Sequence, residues 1–124
     1  MTPSTVKLER TLRTLAARRR VLLRHLAGTE ELAVGTVSWV DRRCGRPGCH
    51  CARGPGHRQA QFLFADPWGR RRCKLVRKAD QRRLEEANQR YRLFRAGLRE
   101  LAAIHKHEHA LLTELMRTRG LSYE

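Results

Sequence analysis

Three cysteines and a histidine fall within fourteen residues, Cys44-Gly-Arg-Pro-Gly-Cys49-His-Cys51-Ala-Arg-Gly-Pro-Gly-His57. Thiolates and neutral imidazole are the donors that tetrahedral Zn²⁺ takes, and the spacing C-x4-C-x-C-x5-H supplies the four that a closed structural site requires. Gly45, Gly48, Gly54 and Gly56 permit positive φ, while Pro47 and Pro55 restrict the chain, so a short loop can fold back around an ion. The expected ligand set is Cys44, Cys49, Cys51 and His57, holding a structural zinc. Two other donors compete for the fourth place. Cys73 lies one hairpin further along, where it reads equally as a small buried strand residue. His50 sits between two ligands, and in an extended C-x-C segment the middle side chain turns to the opposite side, which ranks it last. A disulfide reading is weaker, since the chain shows no secretory signal and no apolar run long enough to span a membrane. The reducing cytoplasm is the expected compartment.

A catalytic zinc would keep a position for water and an acid or base beside it. This loop offers a closed donor set among Arg, Gly and Pro, so enzymatic activity is not expected.

Charge gives the second clue. Lys and Arg number 27 against 12 Asp and Glu, a formal net charge of +15 in 124 residues. Of the 27, 23 are Arg and 4 are Lys. Guanidinium forks onto phosphate oxygens and stacks on bases, so a polyanion is the expected partner. A GC-rich genome explains Arg over Lys, but not the scarcity of acids. Membrane surfaces are anionic too, yet the chain carries no lipidation signal and no large aromatic amphipathic face. Nucleic acid therefore leads, DNA ahead of RNA.

These residues need elements to position them. Residues 3–27 read as a helix, with Leu8, Leu12, Leu15, Leu22 and Leu26 on one stripe before Gly28. Arg10, Arg13, Arg20 and Arg24 gather on the opposite side, and Arg19 points into the stripe, where it needs an acidic or phosphate partner. Residues 33–77 read as the zinc loop and a small antiparallel sheet: a strand over Ala33–Val40, then a hairpin of 60–66 and 71–77 around Asp66-Pro67-Trp68-Gly69, which suits a type I turn. Phe62 and Phe64 share a face by alternation, so the sheet has one covered side and one wetter side. Trp68 is expected to fold back over the sheet, base stacking being its other use.

Residues 80–118 read as a long helix. Leu84, Ala87, Tyr91, Phe94, Leu98, Leu101, Leu112 and Met116 trace a stripe that packs on the first helix, with His105 and His109 in the seam. Ile104, Leu111 and Leu115 form a second strip, open to a partner helix such as one from a second copy. The fold expected is α+β: an N-terminal helix, a three-stranded sheet with a zinc loop, and a long C-terminal helix packing on the first, all in one domain.

The motif Cys44-Gly-Arg-Pro-Gly-Cys49, Cys51-Ala-Arg-Gly and His57 resembles that of an uncharacterised family of small bacterial and archaeal proteins often found near transposases. The likeness extends over roughly residues 36–105. This chain has Arg58-Gln59-Ala60-Gln61-Phe62 where that family carries a Gly and several tyrosines. The resemblance implies a mobile-element or transposition-related setting and no particular activity.

Arg42, Arg43, Arg46, Arg53, Arg58, Arg70, Arg71 and Arg72 surround the loop and the hairpin tip. They are the candidate nucleic-acid contacts. The contrasting expectation is a structural or adaptor subunit that uses its helices to join a larger protein or nucleoprotein assembly.

Overall fold

The computed structural model describes residues 3–123. Helix α1 spans Pro3–Ala27, strands β1 Thr36–Arg42, β2 His57–Ala65 and β3 Arg71–Leu75 form a sheet, and helix α2 spans Gln81–Arg119. The chain divides into two compact units: α1 with α2 from Leu93 onward, and Glu30–Arg92.

The first unit is an antiparallel helical hairpin. On α1 the more buried positions are Thr5, Leu8, Leu12, Leu15, Arg19, Leu22 and Leu26; on α2 they are Gly97, Leu101, Ile104, Glu108, Leu111 and Leu115. Both sets alternate steps of three and four, the spacing of a coiled-coil seam. The expected stripe on α1 is the seam observed. On α2 it is not. Leu98, Leu112 and Met116 are exposed, as are His105 and His109, and the strip expected to lie open, Ile104, Leu111 and Leu115, is the one covered. The reason is Glu108. A strictly apolar stripe steps around a carboxylate and drifts to the neighbouring face, whereas the helix keeps its 3.5-residue repeat and takes Glu108 into the seam.

Arg19 meets it there, with Nη1 donating to Glu108 Oε1 at 3.1 Å. The pair sits mid-seam between two further bridges: Arg18 binds both oxygens of Glu100, and Arg119 reaches Glu9 at 2.7 Å. Glu108 has a side chain only 11% exposed, against 42% for Arg19. Arg19→Leu, which strands that carboxylate, should lower stability by about 1–2 kcal/mol, less than for a fully buried pair. The double change Arg19→Leu with Glu108→Leu should recover the loss, as thermal melts of the three proteins will show.

In the second unit the strand order is β1-β2-β3, all antiparallel. The register puts Val37, Ala60, Phe62 and Phe64 on one face, where Ala60 is fully buried and the phenyl rings stack at 5.2 Å. Leu63, Cys73 and Leu75 lie on the other face and are exposed. β1 begins at Thr36, three residues later than the sequence suggests, because the preceding backbone is bound elsewhere. Buried Asn88 donates from Nδ2 to the carbonyls of Ala33 (3.1 Å) and Gly35 (2.8 Å), and Ala33 N–H donates to Ala87 O. At the β2–β3 turn, Asp66 Oδ1 accepts from the N–H groups of Trp68 and Arg70, and Gly69 N–H closes onto Asp66 O.

Candidate metal centre

The loop between β1 and β2 brings together the four residues that the spacing singled out. The ligand atoms of Cys44, Cys49, Cys51 and His57 all lie within 4.8 Å of one another. Cys44 Sγ is 3.4 Å from Cys51 Sγ, and Cys49 Sγ is 3.3 Å from His57 Nε2. Ligands of a tetrahedral zinc sit about 3.5–3.8 Å apart at ordinary Zn–S and Zn–N lengths, so the cluster fits such an ion with small adjustments. Three soft donors and an imidazole are the chemistry such a site uses, and the four could bind a metal ion.

Each ligand has a local cause. His57 opens β2 and pairs with Arg42 at the end of β1, so the ladder anchors it two residues from Cys44. Cys51 lies on a 3₁₀ turn, His50–Arg53, and is 3% exposed; the Cys44 N–H donates to its sulfur at 3.4 Å. Gly45, Gly48 and Gly56 take positive φ, but Gly54, at φ −140, does not. The other two donors stand apart. His50 is exposed with its ring edge-on to His57, and Cys73, exposed on β3 rather than buried there, donates to Gln61 Oε1.

The backbone N–H of Arg46, and after it the Cys51 thiol, hold Cys44 down at about 6. For Cys51, the Cys44 N–H favours the thiolate, but burial and the neighbouring Cys44 and Cys49 sulfurs outweigh it and push the thiol up. At neutral pH the free loop therefore presents Cys44 as thiolate and Cys51 as thiol. Metal binding must displace the Cys51 proton, so affinity should rise with pH by about tenfold per unit for each proton released. Below about pH 6, where Cys44 also takes up a proton, the slope should steepen. Competition titrations against a chelating indicator will check this; a pH-independent affinity would contradict it.

The eight arginines are all exposed. Arg72 pairs with Asp66 at 3.3 Å. Arg43 donates from Nε to Gly54 O, and the Arg58 guanidinium lies 5.2 Å over the Trp39 ring. Among the described residues, Arg42, Arg43, Arg46, Arg53, Arg58, Arg70 and Arg71 make no ion pair. Elsewhere in the same unit Arg77, Arg82, Arg83 and Arg90 are all paired with carboxylates.

Residues 12–86 match the model of a domain of unknown function, DUF6788. The chain belongs to the DUF6788 family. No curated protein and no solved structure matches it. The matched stretch of this DUF6788 chain contains the whole Cys44–His57 cluster and the sheet that carries it.

Trp68 and Gln59, both within the DUF6788 match, depart from the sequence reading. Trp68 does not fold back: it is 79% exposed, because the tight turn offers no strand beneath its ring. Gln59 was not evident as a site residue. Period-two alternation from His57 places it on the same sheet face as that ligand, and it lines a cavity with Arg42 and Arg46.

Proposed function

We propose that this chain binds nucleic acid, with a structural zinc on Cys44, Cys49, Cys51 and His57 holding an arginine-rich loop against the phosphate backbone. The observation that carries the reading is the distribution of uncompensated charge. Seven of the eight arginines around the loop and hairpin tip lack a carboxylate partner, while those near the start of α2 have one. Ion-paired arginines are already satisfied, and unpaired ones in a fixed geometry attract phosphates. DNA is the first target and RNA the second; exposed Trp68 serves either by stacking. The zinc is structural because the donor set is complete, and we do not assign an enzymatic activity. The mobile-element setting is the one the loop's resemblance implies. No helix among the described residues is long and apolar enough to cross a membrane; the free-thiol donor set favours the cytoplasm.

The test is a salt titration of binding to duplex DNA, single-stranded DNA and structured RNA. With four to seven phosphates neutralised, log K on duplex DNA should fall against log salt with a slope of about −4 to −6. Weak, salt-indifferent binding to all three would overturn the proposal.

A second reading draws on the helical unit. Leu98, Leu112 and Met116 share one side of α2 and are 47%, 56% and 68% exposed. Such a face suits pairing with a second copy or with a helix of a larger assembly. A monomer in sedimentation at high concentration would count against the second copy.

A further inference from the structure

Helix α1 carries a second cationic surface, in the helical unit and on the side away from the seam. At about 100° per residue, Arg10, Arg13, Arg20 and Arg24 fall within an arc of about 80°. All four are exposed, and none makes an ion pair among the described residues. A solvated helix face ordinarily mixes the two signs of charge. This one does not. The one acid of α1, Glu9, is held by Arg119, and Glu100, Glu108 and Glu114 of α2 are held by Arg18, Arg19 and Arg117. Every described side-chain carboxylate of the helical unit is therefore committed, and the outer face of α1 keeps four cations without a counter-charge.

That arrangement works against the free helix. Arg10 and Arg13 stand three residues apart and Arg20 and Arg24 four, the separations at which like charges on a helix repel. Bound anions remove the repulsion, so this face gains from a polyanion what a face of mixed charge would not. The two pairs are also set apart. Their midpoints lie about 16 Å from one another along the axis, and between them on the same face is Ala17, small and exposed. The major groove of B-form DNA is about 12 Å wide and is bounded on each side by a row of phosphates. A helix laid across the groove brings one arginine pair to each row, and Ala17 puts no bulk between.

We propose that the outer face of α1 is a second duplex-DNA contact surface, with Arg10 and Arg13 on the phosphates of one strand and Arg20 and Arg24 on those of the other. The inference rests on the nucleic-acid reading and deepens it, because two phosphate rows at a fixed separation belong to a duplex and not to a single strand. Each phosphate held here steepens the salt dependence beyond what the loop arginines give alone.

The experiment compares three zinc-loaded proteins in salt titrations on duplex DNA. One is the wild type. Arg13→Gln/Arg20→Gln takes one arginine from each pair and keeps a good helix former at both positions. Arg77→Gln/Arg82→Gln removes the same charge from arginines already paired with Asp80 and Glu86. The first variant should lose about two units of salt slope, one per phosphate contact, and the second should match the wild type. The first should also melt no lower than the wild type, since it relieves both repulsive pairs, and should lose less on single-stranded DNA of the same sequence. Equal slopes for the wild type and the first variant overturn this face and leave the nucleic-acid reading standing. Equal losses from the two variants overturn it as well, because net charge then suffices, and so does a loss as large on the single strand. A first variant that loses binding only to vesicles containing phosphatidylglycerol assigns the face to a lipid surface and overturns the proposal. Failure of the wild type to bind any nucleic acid overturns both readings.

Discussion

Cys51→Ser should abolish stoichiometric zinc binding and unfold the loop with its adjoining strand ends. Cys51 is the most enclosed of the four donors, 3% exposed, and its sulfur faces both Cys44 Sγ and the Cys44 N–H. A hydroxyl there is a hard donor that stays protonated at neutral pH and reaches less far than sulfur. Structural zinc sites contribute about 10–16 kcal/mol of binding free energy that is also folding free energy. Even a substitution outside the ligand set costs about 10–100-fold in affinity, so loss of a ligand should cost more than a hundredfold. The helical signal should survive, because α1 and α2 hold 25 and 39 residues and the α1 hairpin has its own seam. Mass spectrometry under native conditions and circular dichroism measure the two halves of this expectation. A serine variant that retains one zinc with unchanged affinity would show that the sulfur is not a ligand.

Gly56→Ala should be the most damaging change in the loop outside the donors themselves. Gly56 has φ +104, and a Cβ there would lie 2.4 Å from the Arg42 carbonyl carbon and 2.7 Å from Arg43 N. Those are backbone atoms at the end of β1, so no side-chain rotation relieves the clash. His57 is the next residue and must move with it, which takes a ligand away from Cys49. Zinc affinity should fall at least about tenfold, and the backbone strain alone costs about 1–3 kcal/mol. Gly45→Ala is the matched control. Gly45 also has positive φ, +75, but a Cβ there meets nothing within 4 Å. It should cost only the conformational part, about 1 kcal/mol, and keep its zinc. Equal loss from the two variants would mean that φ, and not the approach of β1 to Gly56, sets the loop.

The metal loop was the most legible part of the chain, because ligand chemistry is local: donor type and spacing within fourteen residues named the four side chains that meet. Element order was legible for the same reason, since leucine spacing, the Asp66–Gly69 turn and Phe62/Phe64 alternation are short-range signals. The α2 seam was not. Its register depends on Glu108 meeting Arg19 across 89 positions, and apolar periodicity assigns a carboxylate to the surface. The need of Arg19 for an acidic partner was visible; which acid would serve was not. β1 shortened for a similar reason, since Asn88 claims the carbonyls of Ala33 and Gly35 from far along the sequence. Trp68 reads as buried by residue type and is exposed by turn geometry.

The central claim joins metal to nucleic acid, and one measurement addresses both. Affinity for duplex DNA is taken at fixed salt with zinc-loaded protein, after removal of the metal by a chelator, and after zinc is restored. Under the proposal, removing zinc should release Arg42, Arg43, Arg46 and Arg53 from a common geometry without changing their charge. Affinity should therefore fall at least about tenfold on chelation and return with zinc, while nonspecific electrostatic binding persists at low salt. An affinity that is the same in the metal-free and zinc-loaded protein would contradict the account.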